Sequence, residues 1–308
     1  MGNKLVGRFA PTPSGGLHLG NLFSFLIAFL LAKKSGGEIL LRIEDLDPAR
    51  TKSEYADAIM RDLEAFGFSW DKPPVFQSSR TEAYLDALAK LQAKGLTYPC
   101  FCSRADLHAA NAPHFGEEYV YAGTCRNLTE EEIELKRAVR QPATRVMVDD
   151  ASCTFRDVFQ GSKTYHLEEC SGDFIIRRSD GVFAYQLAVV VDDAEMGVSS
   201  VVRGLDLLTS TPRQMYLQDV LGFAHPSYAH VPLLLDGLGR RLSKRDGDTD
   251  VHRLLNERKA PAEKILGMLA FAAGIIEEDA PCTLEELVRE ADLMKLAGKQ
   301  SITAPEFN

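Results

Sequence analysis

The stretch GRFAPTPSGGLHLGN, residues 7–21, constrains the fold more than any other part of the chain. It sets two prolines, four glycines and His18 between two apolar segments. Before it, KLVGRFA (4–10) reads as a short buried strand. After it, LGNLFSFLIAFLLAKKSGG is apolar on nearly every side and helical in length, with Lys33 and Lys34 in the last turn and Gly36 and Gly37 ending it. EILLRIED (38–45) lacks the alternation of a half-exposed strand and predicts a central strand of a parallel sheet. Strand, loop, helix and strand make a βαβ unit. The free N–H groups and the positive end of the helix dipole then form an anion site at the loop. Neither a P-loop nor a G-x-G-x-x-G spacing is present. Instead, His18 can donate to a phosphate oxygen, and Gly20 admits a flat base or ribose close to the backbone. A tight turn capped by a helix-start histidine is the plainer reading of the same residues.

Composition sets the frame for the rest. Over 308 residues, 45% are hydrophobic and 26% charged, as in ordinary globular proteins. The net charge of −9 argues against wholesale coating by nucleic acid and leaves room for a local basic patch. Residues 1–16 hold no secretory apolar core, and Leu22 to Ala32 is too short to span a bilayer. A cytoplasmic protein with no membrane partner is the expectation.

Two amphipathic helices follow the second strand. One carries Tyr55, Ile59, Leu63 and Phe66 on one face; the other carries Tyr84, Leu85, Leu88 and Leu91 and stops at Gly95. From Tyr98 the texture becomes irregular and cysteine-bearing, with a capping box at Thr129 and Glu132. GVFAYQLAVVVDDAEMGVSSVVRG (181–204) again predicts central strands, and a helix runs from Pro212 to near Gly222. Residues 236–308 read as helical, with Pro261 at one start and a second capping box at Thr283 and Glu286. The expected fold is α/β. Its parallel sheet is split into halves at 1–98 and 181–235 by an α+β insertion at 99–180, and a loop and short helical region follow at 236–308.

Six cysteines occur, and Cys100, Cys102 and Cys125 crowd together. Without an export signal, that cluster points to a structural metal more than to disulfides. Three thiolates suit a tetrahedral zinc with one ligand still to be found. Imidazole chemistry favours His108 or His114; Tyr121, with three residues between it and Cys125, is the other candidate.

Far downstream, DGLGRRLSKRDGD (236–248) sets Arg240, Arg241, Lys244 and Arg245 between glycines. Its plain reading is a solvated basic turn. A mobile cation would also suit a loop that closes on a polyphosphate. Taken together, RFAPTPSGGLHLGN and RRLSKRDGD resemble the paired signatures of the class I aminoacyl-tRNA synthetases, glutamyl branch. HLGN stands at the HIGH position and RLSKR at the KMSKS position, and LLRIEDLDPAR and VVVDDAEMGVSSVVRG are similar to that branch as well. The resemblance spans roughly residues 4–250.

This likeness implies a Rossmann-type catalytic domain that binds ATP with Mg2+ and L-glutamate. By resemblance, Arg8, Phe9, Ala10, Pro11, Thr12, Glu44, Tyr185 and Arg203 contact the amino acid, with arginines for the carboxylates and Glu44 for the ammonium. His18, Gly20, Asn21, Ser243 and Lys244 face ATP, and His18, Gly20 and Lys244 are the catalytic set. Tyr121 becomes the fourth zinc ligand, as in the truncated glutamyl paralogs. Full glutamyl enzymes continue into an anticodon-reading region, for which residues 236–308 leave too little chain. They also typically carry asparagine where this sequence has Val189. Truncation implies the paralogs that glutamylate queuosine in the anticodon stem-loop of tRNA-Asp, working as a monomer. The alternatives are a shortened enzyme that charges a tRNA 3′ end, and a vestigial zinc-bearing RNA-binding module. Arg104, Arg126, Arg137 and Arg140 are candidate RNA contacts, each more simply read as solvated surface.

Overall fold

The computed structural model describes residues 4–103, 106, 120–149, 151–240 and 250–307. The N-terminal βαβ unit forms as expected: β1 (Val6–Phe9), α1 (Leu19–Lys34) and β2 (Glu38–Ile43), with β1 and β2 parallel. Helix α2 (Ser53–Ala65) leads to β3 (Val75–Phe76), which pairs in parallel with β2. Helix α3 (Thr81–Ala93) ends before Gly95. It buries Tyr84, Leu88 and Leu91 but turns Leu85 outward, contrary to the expected face.

The middle of the chain is antiparallel. β4 (Thr97–Cys100) is followed by α4 (Glu130–Arg137), whose capping box at Thr129 and Glu132 forms as read. β5 (Ala143–Val146) pairs with β4 on one side and later with β8 on the other; β6 (Ser152–Asp157) and β7 (Gly161–His166) make a hairpin. A single helical turn, α5 (Leu167–Cys170), precedes β8 (Phe174–Arg177).

The next segment departs from expectation. Tyr185–Glu195 is a helix, α6, and only Ser200–Gly204 is a strand, β9. Residues Leu187 to Asp193 of α6 are all buried, because it packs against α3, β8 and α7 (Thr211–Leu221). A helix enclosed on every side shows no polar stripe, and its valines imitate a buried strand. Val189 belongs to this core and does not line the cleft described below.

β9 pairs in parallel with β10 (Ser227–Val231) and lies beside β1, where the Ser199 N–H donates to Val6 O at 2.9 Å. Strands β3-β2-β1 form one parallel sheet and β9-β10 a second lying beside β1, so the crossovers run to opposite sides from the seam between β1 and β9. Open α/β sheets bind ligands at such a switch point.

β11 (Leu233–Leu235) follows. Helices α8 (Val251–Asn256), α9 (Ala262–Ala273) and α10 (Leu284–Glu290) come next, the last with its Thr283–Glu286 capping box. The C-terminal part is not wholly helical: β12 (Ser301–Thr303) returns to pair in parallel with β11. Ile265, Leu269, Leu287 and Leu296 share one apolar core with Leu22, Leu26 and Leu30 of α1. Among the described residues, no helix is long and apolar enough to cross a membrane.

Candidate active site and metal centre

A cleft of about 710 Å³ opens over the carboxyl ends of β1 and β9, within the usual size range of small-molecule sites. Arg8, Ala10, Pro11, Thr12, His18, Gly20, Asn21, Glu44, Tyr185 and Arg203 all line it. Phe9 does not: its ring points the other way in the strand and packs on Phe25 and Phe68. Ser243 and Lys244 lie outside the described residues.

His18 is the N-cap of α1. Its Nδ1 accepts from the Asn21 N–H at 3.3 Å, which puts the ring proton on Nε2 as a donor. The Asn21 side chain answers by accepting from the His18 N–H, so the cap and the site residue are the same group. A Cβ on Gly20 would lie 3.0 Å from the imidazole, so this glycine makes room for the ring. Residue 250 closes on the same loop: His18 bridges to Asp250, and the Val251 N–H donates to Leu17 O at 2.9 Å. A Cβ on Gly16 would stand 2.6 Å from Asp250 Oδ2, so a larger residue there would displace the Asp250 side chain.

The two arginines sit in different electrical settings. Arg8 is buried, donates to Val202 O at 3.0 Å and lies 3.5 Å from Asp193. Its Nε has no hydrogen-bond acceptor, a buried donor at the edge of the cleft. Arg203, only 5% exposed, meets the His230 ring at 3.0 Å, Gln214 Oε1 at 2.7 Å, Thr211 Oγ1 at 2.8 Å and the Tyr185 hydroxyl at 3.4 Å. Tyr185 is the first residue of α6 rather than part of a strand.

Glu44 stands between charges. Burial pushes its carboxyl above the usual range, opposed by Arg42 and Arg8. Arg42 is fully buried, 2.6 Å from Asp193, 3.3 Å from Glu44 and 3.7 Å from Asp192. Asp192 also accepts from Arg80 at 2.5 Å, Gln77 at 2.7 Å and Tyr84 at 2.8 Å. Sequence reading missed this network, although two adjacent acids in an otherwise apolar run (Asp192, Asp193) were its visible sign. It missed Asp206 and the Arg178–Asp47 pair at 2.6 Å as well, all in the cleft wall.

The second centre lies in the middle region. The Sγ atoms of Cys100, Cys102 and Cys125 fall within 4.8 Å of one another. The Tyr121 hydroxyl is 3.5 Å from Cys100 Sγ and 3.6 Å from Cys102 Sγ, and it accepts from the Cys125 N–H at 2.9 Å. Gly172, in the left-handed region with φ +58°, lets the chain pass against Tyr121; a Cβ there would lie 2.8 Å from Tyr121 O. Burial would raise the Cys100 thiol, but Tyr121 and Arg145 hold it below its ordinary value. Burial and the neighbouring thiols push Cys102 up to about 11. His108, His114 and Arg104 lie outside the described residues. Of the other arginines, Arg126 is tied to Asp149 and Asp173, Arg137 pairs with Glu134, and Arg140 reaches Phe101 O at 3.5 Å.

The family model for tRNA synthetases class I (E and Q), catalytic domain, matches residues 4–304. Glutamyl-Q tRNA(Asp) synthetase of Neisseria meningitidis is 48% identical, with 97% of this chain and 99% of that protein covered. The protein of that name in Symbiobacterium thermophilum is 45% identical, covering 95% and 94%. The chain belongs to the class I tRNA synthetases for glutamate and glutamine, among the glutamyl-Q tRNA(Asp) synthetases. Among solved structures, a glutamate tRNA ligase from Elizabethkingia meningosepticum in complex with its amino acid superposes with a TM-score of 0.83 at 26% identity. It covers 99% of this chain and 68% of the ligase. The match to this family makes the chain a ligase-type enzyme.

Proposed function

We propose that this chain activates L-glutamate with ATP and transfers the glutamyl group to queuosine in the anticodon of tRNA-Asp. The observation that carries the reading is one cleft that unites two buried arginines, Glu44 and the helix N-terminus at His18, in a chain alignable almost end to end with glutamyl-Q tRNA(Asp) synthetases. Glutamate brings two carboxylates and one ammonium, which two guanidiniums and one carboxylate complement. In the first step a carboxylate oxygen of glutamate attacks the α-phosphorus of ATP, supplied with Mg2+ as substrate, and pyrophosphate leaves. In the second, a hydroxyl of the modified base attacks the acyl carbon and AMP leaves. No protein nucleophile is needed; positioning and charge stabilisation do the chemistry. His18 Nε2–H and the first amides of α1 would face the phosphates, and Ser243 and Lys244 are the further ATP contacts of this reading. Asp250, a few residues after Lys244 in the sequence, bridges to His18.

The middle region takes the role of an RNA-gripping insertion between the two sheet halves, and the chain works as a cytoplasmic monomer. Cys100, Cys102, Cys125 and Tyr121 would hold one structural zinc. Tetrahedral bonds of about 2.0–2.3 Å give ligand separations of roughly 3.5–3.8 Å, and the Tyr121–Cys100, Tyr121–Cys102 and Cys102–Cys125 separations are 3.5, 3.6 and 3.6 Å. The ion would tie β4 to the strand-like segment at Tyr121 and supply no chemistry to the reaction.

Mass spectrometry of nucleosides from tRNA-Asp incubated with glutamate and ATP tests the proposal. The expected result is queuosine carrying one glutamyl group. Glutamate found instead on the 3′ end of tRNA-Glu would replace it with the charging reaction, and no glutamate-dependent ATP–pyrophosphate exchange at all would end the enzyme reading.

A further inference from the structure

Arg203 is a buried cation whose immediate partners are all uncharged: a ring nitrogen, an amide oxygen and two hydroxyls. No carboxylate of the described residues forms an ion pair with it. Arg8, by contrast, has Asp193 at 3.5 Å. The compensating charge for Arg203 stands one ring away. His230 is fully buried, and its Nδ1 lies 2.5 Å from Asp157 Oδ2. Arginine can only donate, so His230 Nε2 must accept from Arg203 Nε, which places the ring's proton on Nδ1, toward Asp157. The carboxylate of Asp157 is itself fixed by the N–H groups of Phe159 and Gln160 at 2.9 Å and of His230 at 3.1 Å.

We infer that Asp157 and His230 form a relay that positions the Arg203 guanidinium while leaving its charge unpaired for the substrate. The inference rests on the reading of Arg203 as a carboxylate-binding residue. A direct Asp–Arg bridge would hold the fork equally well but would neutralise it and occupy its acceptor-facing side. The relay separates those two jobs. Asp157, at the end of a hairpin in the middle region, thereby reaches the amino-acid pocket through the β10 residue His230. His230 and Asp157 are positioning residues, since neither lines the cleft. A carboxylate arriving at Arg203 meets an unspent positive charge in a buried setting; an amide isostere does not satisfy it. Selection of an acidic substrate over its amide follows from that asymmetry.

The test is ATP–pyrophosphate exchange with tRNA present, measuring KM for glutamate and for ATP separately. His230→Leu is expected to raise the glutamate KM about ten- to a hundredfold, the loss of one charge-assisted hydrogen bond to a buried group, with the ATP KM unchanged. His230→Gln, whose amide oxygen can accept from Arg203 Nε, is expected to restore most of the affinity. Should His230→Leu fail to fold, Asp157→Asn reads the same relay through the ring's tautomer and is expected to raise the glutamate KM alone. Arg203→Ala serves as the reference. If it raises the glutamate KM while the His230 and Asp157 variants do not, the relay is wrong and the reading of Arg203 stands. If Arg203→Ala itself leaves the glutamate KM unchanged, that reading falls. Equal rises in both KM values, or no rescue by glutamine at 230, also overturn the relay.

Discussion

Replacing Arg42 by methionine removes a fully buried cation at nearly constant volume, and its cost can be worked out from its three partners. Asp192 keeps Arg80 at 2.5 Å together with Gln77 and Tyr84, so it stays well satisfied. Asp193 keeps Arg8 at 3.5 Å, a weaker partner than the 2.6 Å contact it loses. Glu44 loses its 3.3 Å ion pair. Breaking a buried pair in this way costs about 3–5 kcal/mol, because a charge is left in a low-dielectric site. Burial already pushes the Glu44 carboxyl up, and Arg42 is the first group opposing that rise. Without Arg42 it rises further. A carboxyl raised in the folded state above its unfolded value binds protons preferentially in the folded state, so stability increases as pH falls through the folded pKa. The deficit of Arg42→Met is therefore largest above the raised folded pKa and shrinks as pH falls toward the unfolded carboxylate range at about pH 4.3. Urea unfolding of both proteins at a mildly alkaline and a mildly acidic pH measures it. A deficit below about 1 kcal/mol, or one of the same size at both pH values, would refute the reasoning.

Two further outcomes are expected. As pH falls through the raised pKa of Glu44, the carboxylate proposed to take the substrate ammonium is lost; the glutamate KM should rise in acid while the ATP KM does not, and Glu44→Gln should abolish that dependence. Tyr121→Phe should lower zinc affinity by about tenfold or more, one ligand in four being removed, whereas His114→Ala should retain about one zinc per chain by elemental analysis; the opposite pattern reassigns the fourth ligand to His114.

Much of the fold could be read from local chemistry. The βαβ unit, both threonine–glutamate capping boxes and the glycine stop at Gly222 each announce themselves within a few residues. The failures share a cause. Helix α6 is covered on every side, so its valines carry no periodicity, and Val189, where full glutamyl enzymes typically carry asparagine, is a core residue here. β12 is too short to show a strand pattern and exists because β11 offers it an edge. In the site, the motif residues among those described line one cleft, except Phe9, whose neighbours Arg8 and Ala10 face the cleft while its own ring faces the core. The ionic network around Arg42 and the relay behind Arg203 join residues far apart in the chain. No window of sequence displays them; only the folded chain brings them within reach.

The parallel pairing of Ser301–Thr303 with Leu233–Leu235 gives residues 301–303 a hold on the cleft wall that their distance in sequence conceals. Leu233 and Leu234 form part of the cleft wall, so the last strand works as a clasp on the panel from which the basic loop departs. An affinity tag fused just beyond Thr303 would hang on that clasp. For this chain, the placement of such a handle is a choice about the geometry of the reaction chamber.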